Sequence, residues 1–138
     1  MDIVSPVRRS SMMAGIKSTN TQPEMAVRRL AHRLGLRFRL HRKDLPGSPD
    51  LVFPSRKTAL FVHGCYWHRH NGCRLCYSPK SNVDFWTAKF EMNLARDLRN
   101  ARELEAQGWK VVVIWECETR NPDRVHEILK CEVCDATY

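Results

Sequence analysis

Sixteen residues from Phe61 to Cys76, FVHGCYWHRHNGCRLC, hold three histidines, three cysteines and two adjacent aromatics. So little of this segment is aliphatic that burial alone cannot order it. A chain carrying it must fold so that something else fixes the loop, and bound metal is the device these side chains offer. Structural zinc takes four soft or borderline ligands in a tetrahedron, usually two or three from one tight loop and the rest from another element. Cys65, His70 and Cys73 can converge from the loop, and Cys117 can supply a fourth ligand from just beyond the apolar run that ends at Trp115. A rival set joins Cys73 and Cys76 to Cys131 and Cys134, a double CxxC. Spacing leaves both sets open, beside a third reading in which the thiols are buried without any metal.

At 138 residues the chain fits one domain that can bury a core without disulfide staples. It lacks any run of about eighteen apolar residues that could span a membrane. The start, MDIVSPVRRSSMMAG, has no apolar signal core, so the expectation is a cytoplasmic protein whose cysteines stay reduced. A formal charge of +8 points to a polyanionic partner, though by itself it speaks only to nonspecific binding and association rate.

Without repeats or low-complexity linkers, residues 1–138 read as a single domain. Residues 7–19 are basic with a few apolar positions, as in a short helix or arm. TQPE starts a helix, with Thr21 as N-cap and Glu24 three residues later, and Val27, Leu30, Ala31 and Leu34 repeat at helical spacing before Gly35. LRFRLH (36–41) alternates like a half-buried strand, and a turn follows at PGSP (46–49). DLVF and TALFVH (58–63) make two further strands, paired as a hairpin. From about Asp84 to Gln107 a long helix is expected to bury Phe90, Leu94, Leu98, Ala101 and Leu104 on one face, with Gly108 ending it. WKVVVIW (109–115) is almost wholly apolar, the pattern of a strand covered on both faces and placed centrally. A short helix near 122–130 completes an α/β sandwich with a mixed sheet.

Other residues carry two readings each. His63 ends an apolar strand and His68 sits beside the proposed ligand loop; each is a structural side chain or a group for acid/base work. Asp50 follows proline at a strand start, so it is a turn residue or a carboxylate able to hold Mg²⁺ with water and phosphate oxygens. Glu24 is explained by a capping box yet could reach the same site. Tyr66, Trp67 and Trp86 are core aromatics or platforms for stacking on bases.

Together, LPGSPDLVF, FVHGCYWHRH with Cys73, FWTAKFEMNLARD and GWKVVVIWECETR resemble the Vsr-type very-short-patch-repair DNA mismatch endonucleases. The likeness runs in order from about Arg9 to Arg120, and the pairing of HGC-aromatic-Trp-His with WEC carries most of its specificity. The resemblance implies a restriction-endonuclease-like three-layer α/β fold with a central mixed sheet and a structural zinc site. It makes Asp50 the Mg²⁺ carboxylate, with the Val62 backbone carbonyl as a second metal oxygen and His63 an imidazole of the site. It makes His68 the essential histidine, Glu24 a supporting acid, and Asp97 the partner orienting His68. Cys65, His70, Cys73 and Cys117 match the zinc ligands. Tyr66, Trp67 and Trp86 match an aromatic wedge entering the base stack from the major groove, and Met13 belongs to an N-terminal arm (1–20) reaching the minor-groove side. One extra residue stands between His70 and Cys73, Val62 replaces a threonine found in some members, and Cys76, Cys131 and Cys134 have no counterpart role.

The implied activity is a Mg²⁺-dependent nick 5′ to the thymine of a T:G mismatch left by deamination of 5-methylcytosine. That activity links the protein to a cytosine-5 DNA methyltransferase and to mismatch-repair factors, with double-stranded DNA as substrate and a monomer as the acting unit. Other restriction-like nucleases and a non-catalytic zinc-stabilised DNA-binding module are the rival readings.

Overall fold

The computed structural model describes residues 21–76 and 78–134. The expected arm at 1–20, Met13 included, lies outside the described residues. Helix α1 (Gln22–Arg33) starts where the sequence placed it: Thr21 is in an extended conformation and its hydroxyl accepts the Glu24 N–H at 3.3 Å. Strands β1 (Arg39–Leu40), β2 (Leu51–Phe53), β3 (Thr58–His63) and β4 (Lys110–Trp115) form one sheet in the order β1-β2-β3-β4. Its first two pairings are antiparallel, and β3 runs parallel to β4, so the sheet is mixed. Helix α2 (Val83–Ala106) makes the crossover between β3 and β4, α3 (Glu116–Thr119) follows β4 at once, and α4 (Pro122–Leu129) returns along the sheet.

Side chains alternate across the pleat and so divide the interior in two. Leu51, Phe53, Leu60, Val112 and Ile114 meet Val27 and Ala31 of α1 and Val125, Ile128 and Leu129 of α4. On the opposite face Val52 and Ala59 meet Leu45, Leu104 and Trp109. Helices thus cover both faces, giving the three-layer α/β/α arrangement. Most of these residues are fully buried, and each fully buried Val, Leu, Ile or Phe side chain among them contributes about 1.5–3 kcal/mol relative to exposure.

Three expectations need correction. The strand at 36–41 shrinks to Arg39–Leu40, both exposed; Leu36 and Phe38 serve the core from irregular backbone. Strand β4 is an edge strand of the described sheet, not a central one. Its apolar run records cover on two faces, one by the α1/α4 layer and one by α2 and the cleft wall, and says nothing of strand neighbours. The long helix does not bury the anticipated stripe. Leu94 is 46% and Leu98 52% exposed, and of that stripe only Phe90 and Leu104 are buried. Helix α2 is rotated so that Asn93, Asp97 and Asn100, at i, i+4 and i+7, face the body of the protein.

Candidate active site and metal cluster

Pleat parity sets the first group. Asp50 precedes β2 on the same side as Val52, and His63 ends β3 on the same side as Ala59, so both project toward α2. They line a cleft of about 550 Å³ together with His41, His68 and Asp97, with Lys43 and Arg96 adding positive charge. The PGSP turn holds Asp50 in register against the helix. Gly47 there has φ +77°, and a Cβ on it would lie 2.9 Å from the Asn100 side-chain nitrogen, so any other residue is strained and displaces Asn100.

Asp50 Oδ2 accepts the Val62 N–H at 2.7 Å. Val62 therefore meets the carboxylate through its amide in this structure. Burial pushes the Asp50 carboxyl up to about 6; the Val62 hydrogen bond opposes the rise and the charge of Glu24 adds to it. The Glu24 carboxylate is buried and does not return to the helix N-terminus as a capping box would have it. It accepts from Arg28 one turn along and lies 2.9 Å from His41 Nε2. Ligand atoms of Glu24, His41 and Asp50 all fall within 4.8 Å of one another.

Across the cleft His68 Nδ1 and Asp97 Oδ2 are 2.5 Å apart. A carboxylate at Nδ1 favours the tautomer with its proton there, and Nε2 is then the nitrogen that Asp97 does not engage. Burial works against ionisation of Asp97, but the hydrogen bond and charge of His68, with His63 and Arg96, hold its carboxyl below the usual range. The His63 and His68 rings stack at 3.8 Å with planes 5° apart. Burial, then the neighbouring His68, drives the His63 imidazole down to about 4, so it is neutral near pH 7.

The cysteine cluster follows from strand register. His63 pairs with Trp115 across the parallel strands, and both chains run on two residues, which sets Cys65 beside Cys117. The Cys117 N–H points at Cys65 Sγ at 3.4 Å, and Glu116 accepts the Cys65 N–H at 3.3 Å. His70 Nδ1 lies 3.6 Å from Cys65 Sγ and 3.4 Å from Cys117 Sγ, its ring stacked on Trp115 at 4.2 Å. Zinc bonds of about 2.3 Å to sulfur and 2.0 Å to nitrogen imply sulfur–nitrogen edges of about 3.5 Å in a tetrahedron, which these separations match. With Cys73 the four ligand atoms lie within 4.8 Å of each other. Burial pushes the Cys65 thiol up to about 12 and that of Cys117 upward, so a cation is what would keep them as thiolates. Among the described residues the rival set is not assembled, and Cys131 is exposed.

Tyr66, Trp67 and Trp86 are half-buried and pack on one another rather than in either core. Tyr66 and Trp67 meet edge to face at 5.0 Å, and Trp67 and Trp86 tilt together at 5.9 Å. Phe90 closes the group under Tyr66 at 5.3 Å and Trp86 at 6.0 Å. Asn93 donates to the Trp67 carbonyl at 3.3 Å, fastening the loop to α2. Beside Trp86, Phe85 is 61% exposed, so this end of α2 presents an aromatic surface.

Sequence reasoning missed His41, Asn93, Asn100 and Phe85. The signal for the two asparagines was present as a polar stripe at helical spacing through Asp97. His41 had none, because its role depends on where the chain bends after β1.

The whole chain can be set beside known proteins. The sequence pattern of the family described as DNA mismatch endonuclease Vsr matches residues 1–74, just over half of the chain. The type II nicking enzyme V.XorIIP of Xanthomonas oryzae is 58% identical over 117 residues, covering 85% of each chain. The DNA mismatch endonuclease Vsr of Escherichia coli is 35% identical over 124 residues, covering 90% of this chain and 79% of its own. In three dimensions the catalytic domain of the homing endonuclease I-Bth0305I superposes with a TM-score of 0.56 at 23% identity, over 86% of this chain and 100% of that domain. That last likeness is one of fold, and it agrees with the restriction-endonuclease-like layering. No helix among the described residues is long and apolar enough to cross a membrane. Matched in sequence by the family pattern and by relatives along most of its length, this chain belongs to the DNA mismatch endonuclease Vsr family.

Proposed function

We propose that the protein nicks one strand of duplex DNA 5′ to the thymine of a T:G mismatch and so initiates very-short-patch repair. The observation that carries this reading is the His68–Asp97 pair facing Asp50 across one cleft, with the aromatic group on the same loop as His68.

Asp50 and the Val62 carbonyl would hold Mg²⁺, and a half-buried carboxylate beside a second one fits a hard cation. When bound, the ion supplies charge neutralisation at the scissile phosphate and the leaving 3′ oxygen. His68, held by Asp97, presents Nε2 to the phosphate, where it moves a proton or stabilises charge. Neutral His63 supports its ring from behind. Cys65, His70, Cys73 and Cys117 would hold a structural zinc that fixes the loop carrying His68, Tyr66 and Trp67.

Selectivity follows from energetics. A mispaired step costs less to unstack than a Watson–Crick step, so aromatic side chains enter preferentially there. The basic chain supplies the phosphate contacts common to all duplexes. Thymine from deaminated 5-methylcytosine is the lesion such an enzyme would meet, which implies a companion cytosine-5 methyltransferase.

The test is a nicking assay on T:G duplexes with randomised flanks, beside T:A and C:G controls, for the native protein and Asp50→Ala. Nicking confined to T:G, and lost with retained DNA affinity in the variant, is the expected result. Equal cleavage of T:A would make it another restriction-like nicking enzyme; no cleavage under any divalent ion would leave a DNA-binding module.

A further inference from the structure

The cleft holds a nitrogen donor that the reading above does not use. His41 follows β1, its backbone N–H bonds the Asp50 carbonyl at 3.2 Å, and its ring nitrogen lies 2.9 Å from Glu24. The residue sits in the left-handed region at φ +46°, which histidine enters more readily than most side chains do. That bend turns the imidazole inward, onto the two acids, instead of out along the exposed strand. Arg28 pairs with Glu24, and among the described residues Asp50 takes the Val62 N–H.

The spacing suits a shared cation. An octahedral ion with bonds of about 2.1 Å has neighbouring ligands about 3 Å apart, close to the His41–Glu24 separation. Two carboxylate oxygens and an imidazole nitrogen form a mixed donor set. Oxygen sets favour Mg²⁺, whereas a nitrogen donor raises the relative affinity of first-row transition ions, of which Mn²⁺ keeps the strongest taste for oxygen and octahedral geometry.

We infer that His41 joins Glu24 and Asp50 as a direct ligand of the divalent cation in this cleft and tunes the site toward Mn²⁺ over Mg²⁺. The inference rests on the reading of Asp50 as a metal carboxylate.

The experiment titrates Mn²⁺ into the full-length protein, following free Mn²⁺ by electron paramagnetic resonance, then displaces it with Mg²⁺. Pulsed measurements on bound Mn²⁺ look for coupling to nitrogen. Native protein is expected to show a nitrogen coupling and to require at least about tenfold more Mg²⁺ than Mn²⁺ for half displacement. His41→Gln should lose the coupling and reduce that preference by about tenfold or more, while keeping the fold by circular dichroism. His41→Asn, which tolerates the left-handed backbone, serves as the second variant should Gln disturb folding. Nitrogen coupling that persists in both variants, or is absent from native protein with Mn²⁺ bound, overturns the inference and leaves the Asp50 reading standing. Unchanged Mn²⁺ affinity in Asp50→Ala overturns the Asp50 reading itself.

Discussion

His68 and Asp97 are 29 residues apart in sequence and 2.5 Å apart in space, one in the Cys/His loop and the other on the helix that crosses from β3 to β4. The pairing sets which nitrogen of His68 faces the cleft, and it depends on α2 turning a polar face inward.

Asp97→Asn is therefore expected to leave the fold and DNA affinity nearly unchanged and to slow nicking by about 10²–10⁴-fold, the range for loss of a well-held acid/base group. An amide can donate to Nδ1 and so favours the wrong tautomer. His68→Ala should fall as far, and the double variant little further, because the two act as a unit. Single-turnover rates and duplex Kd values check this; a near-native rate in Asp97→Asn would show that His68 works without orientation.

The zinc prediction separates the two ligand sets that spacing left open. Cys117→Ser should lose zinc by metal analysis and lower the Tm, since the loop would lose its tie to the end of β4. Cys131→Ser, an exposed thiol, should change neither. Zinc retained without Cys117 and lost without Cys131 would refute the assignment.

Much of this geometry was legible because it rests on local rules. The Thr21 cap, the β2/β3 hairpin and the apolar β4 each declare themselves in a few residues. The convergence of Cys65 and Cys117 follows once β3 and β4 are known to be parallel and in register at His63 and Trp115. The apolar periodicity of α2 pointed to the wrong face, although the polar stripe through Asp97 marked the right one. Leu94 and Leu98 look like core, yet the helix spends its inward face on Asn93, Asp97 and Asn100, a choice made by the cleft and not by burial. Glu24 carried two readings for a related reason. A capping motif and a buried acid share the same letters, and only His41 and Arg28, brought in by the fold, decide between them.

Gly47→Ala tests how tightly the two walls of the cleft are registered. A Cβ there meets Asn100 at 2.9 Å, and the φ of +77° disfavours alanine as well. A cost of about 1–2 kcal/mol is expected in chemical denaturation. Activity should fall by more than the folded fraction does, because the PGSP turn positions Asp50 against Asp97. Gly47→Ala combined with Asn100→Ala should recover part of the stability, and no recovery would mean that backbone conformation alone sets the penalty.

The aromatic group gives the sharpest contrast between packing and recognition. Trp67 is half-buried and leans on Tyr66 and Trp86, outside both hydrophobic cores. Full core truncation of a tryptophan costs about 3–5 kcal/mol, so Trp67→Ala should cost much less, about 1 kcal/mol for the lost ring contacts. Its effect on binding should be larger. Affinity for a T:G duplex is expected to drop by about 1–3 kcal/mol, one stacking contact, while nonspecific affinity carried by phosphate contacts hardly changes. The gap between T:G and T:A duplexes should therefore narrow with only a small fall in Tm. Parallel binding titrations on the two duplexes, with thermal denaturation of the free protein, decide the matter. A large loss of Tm with the T:G preference intact would make Trp67 a structural prop for the His68 loop and move recognition to Trp86 and the exposed Phe85 beside it.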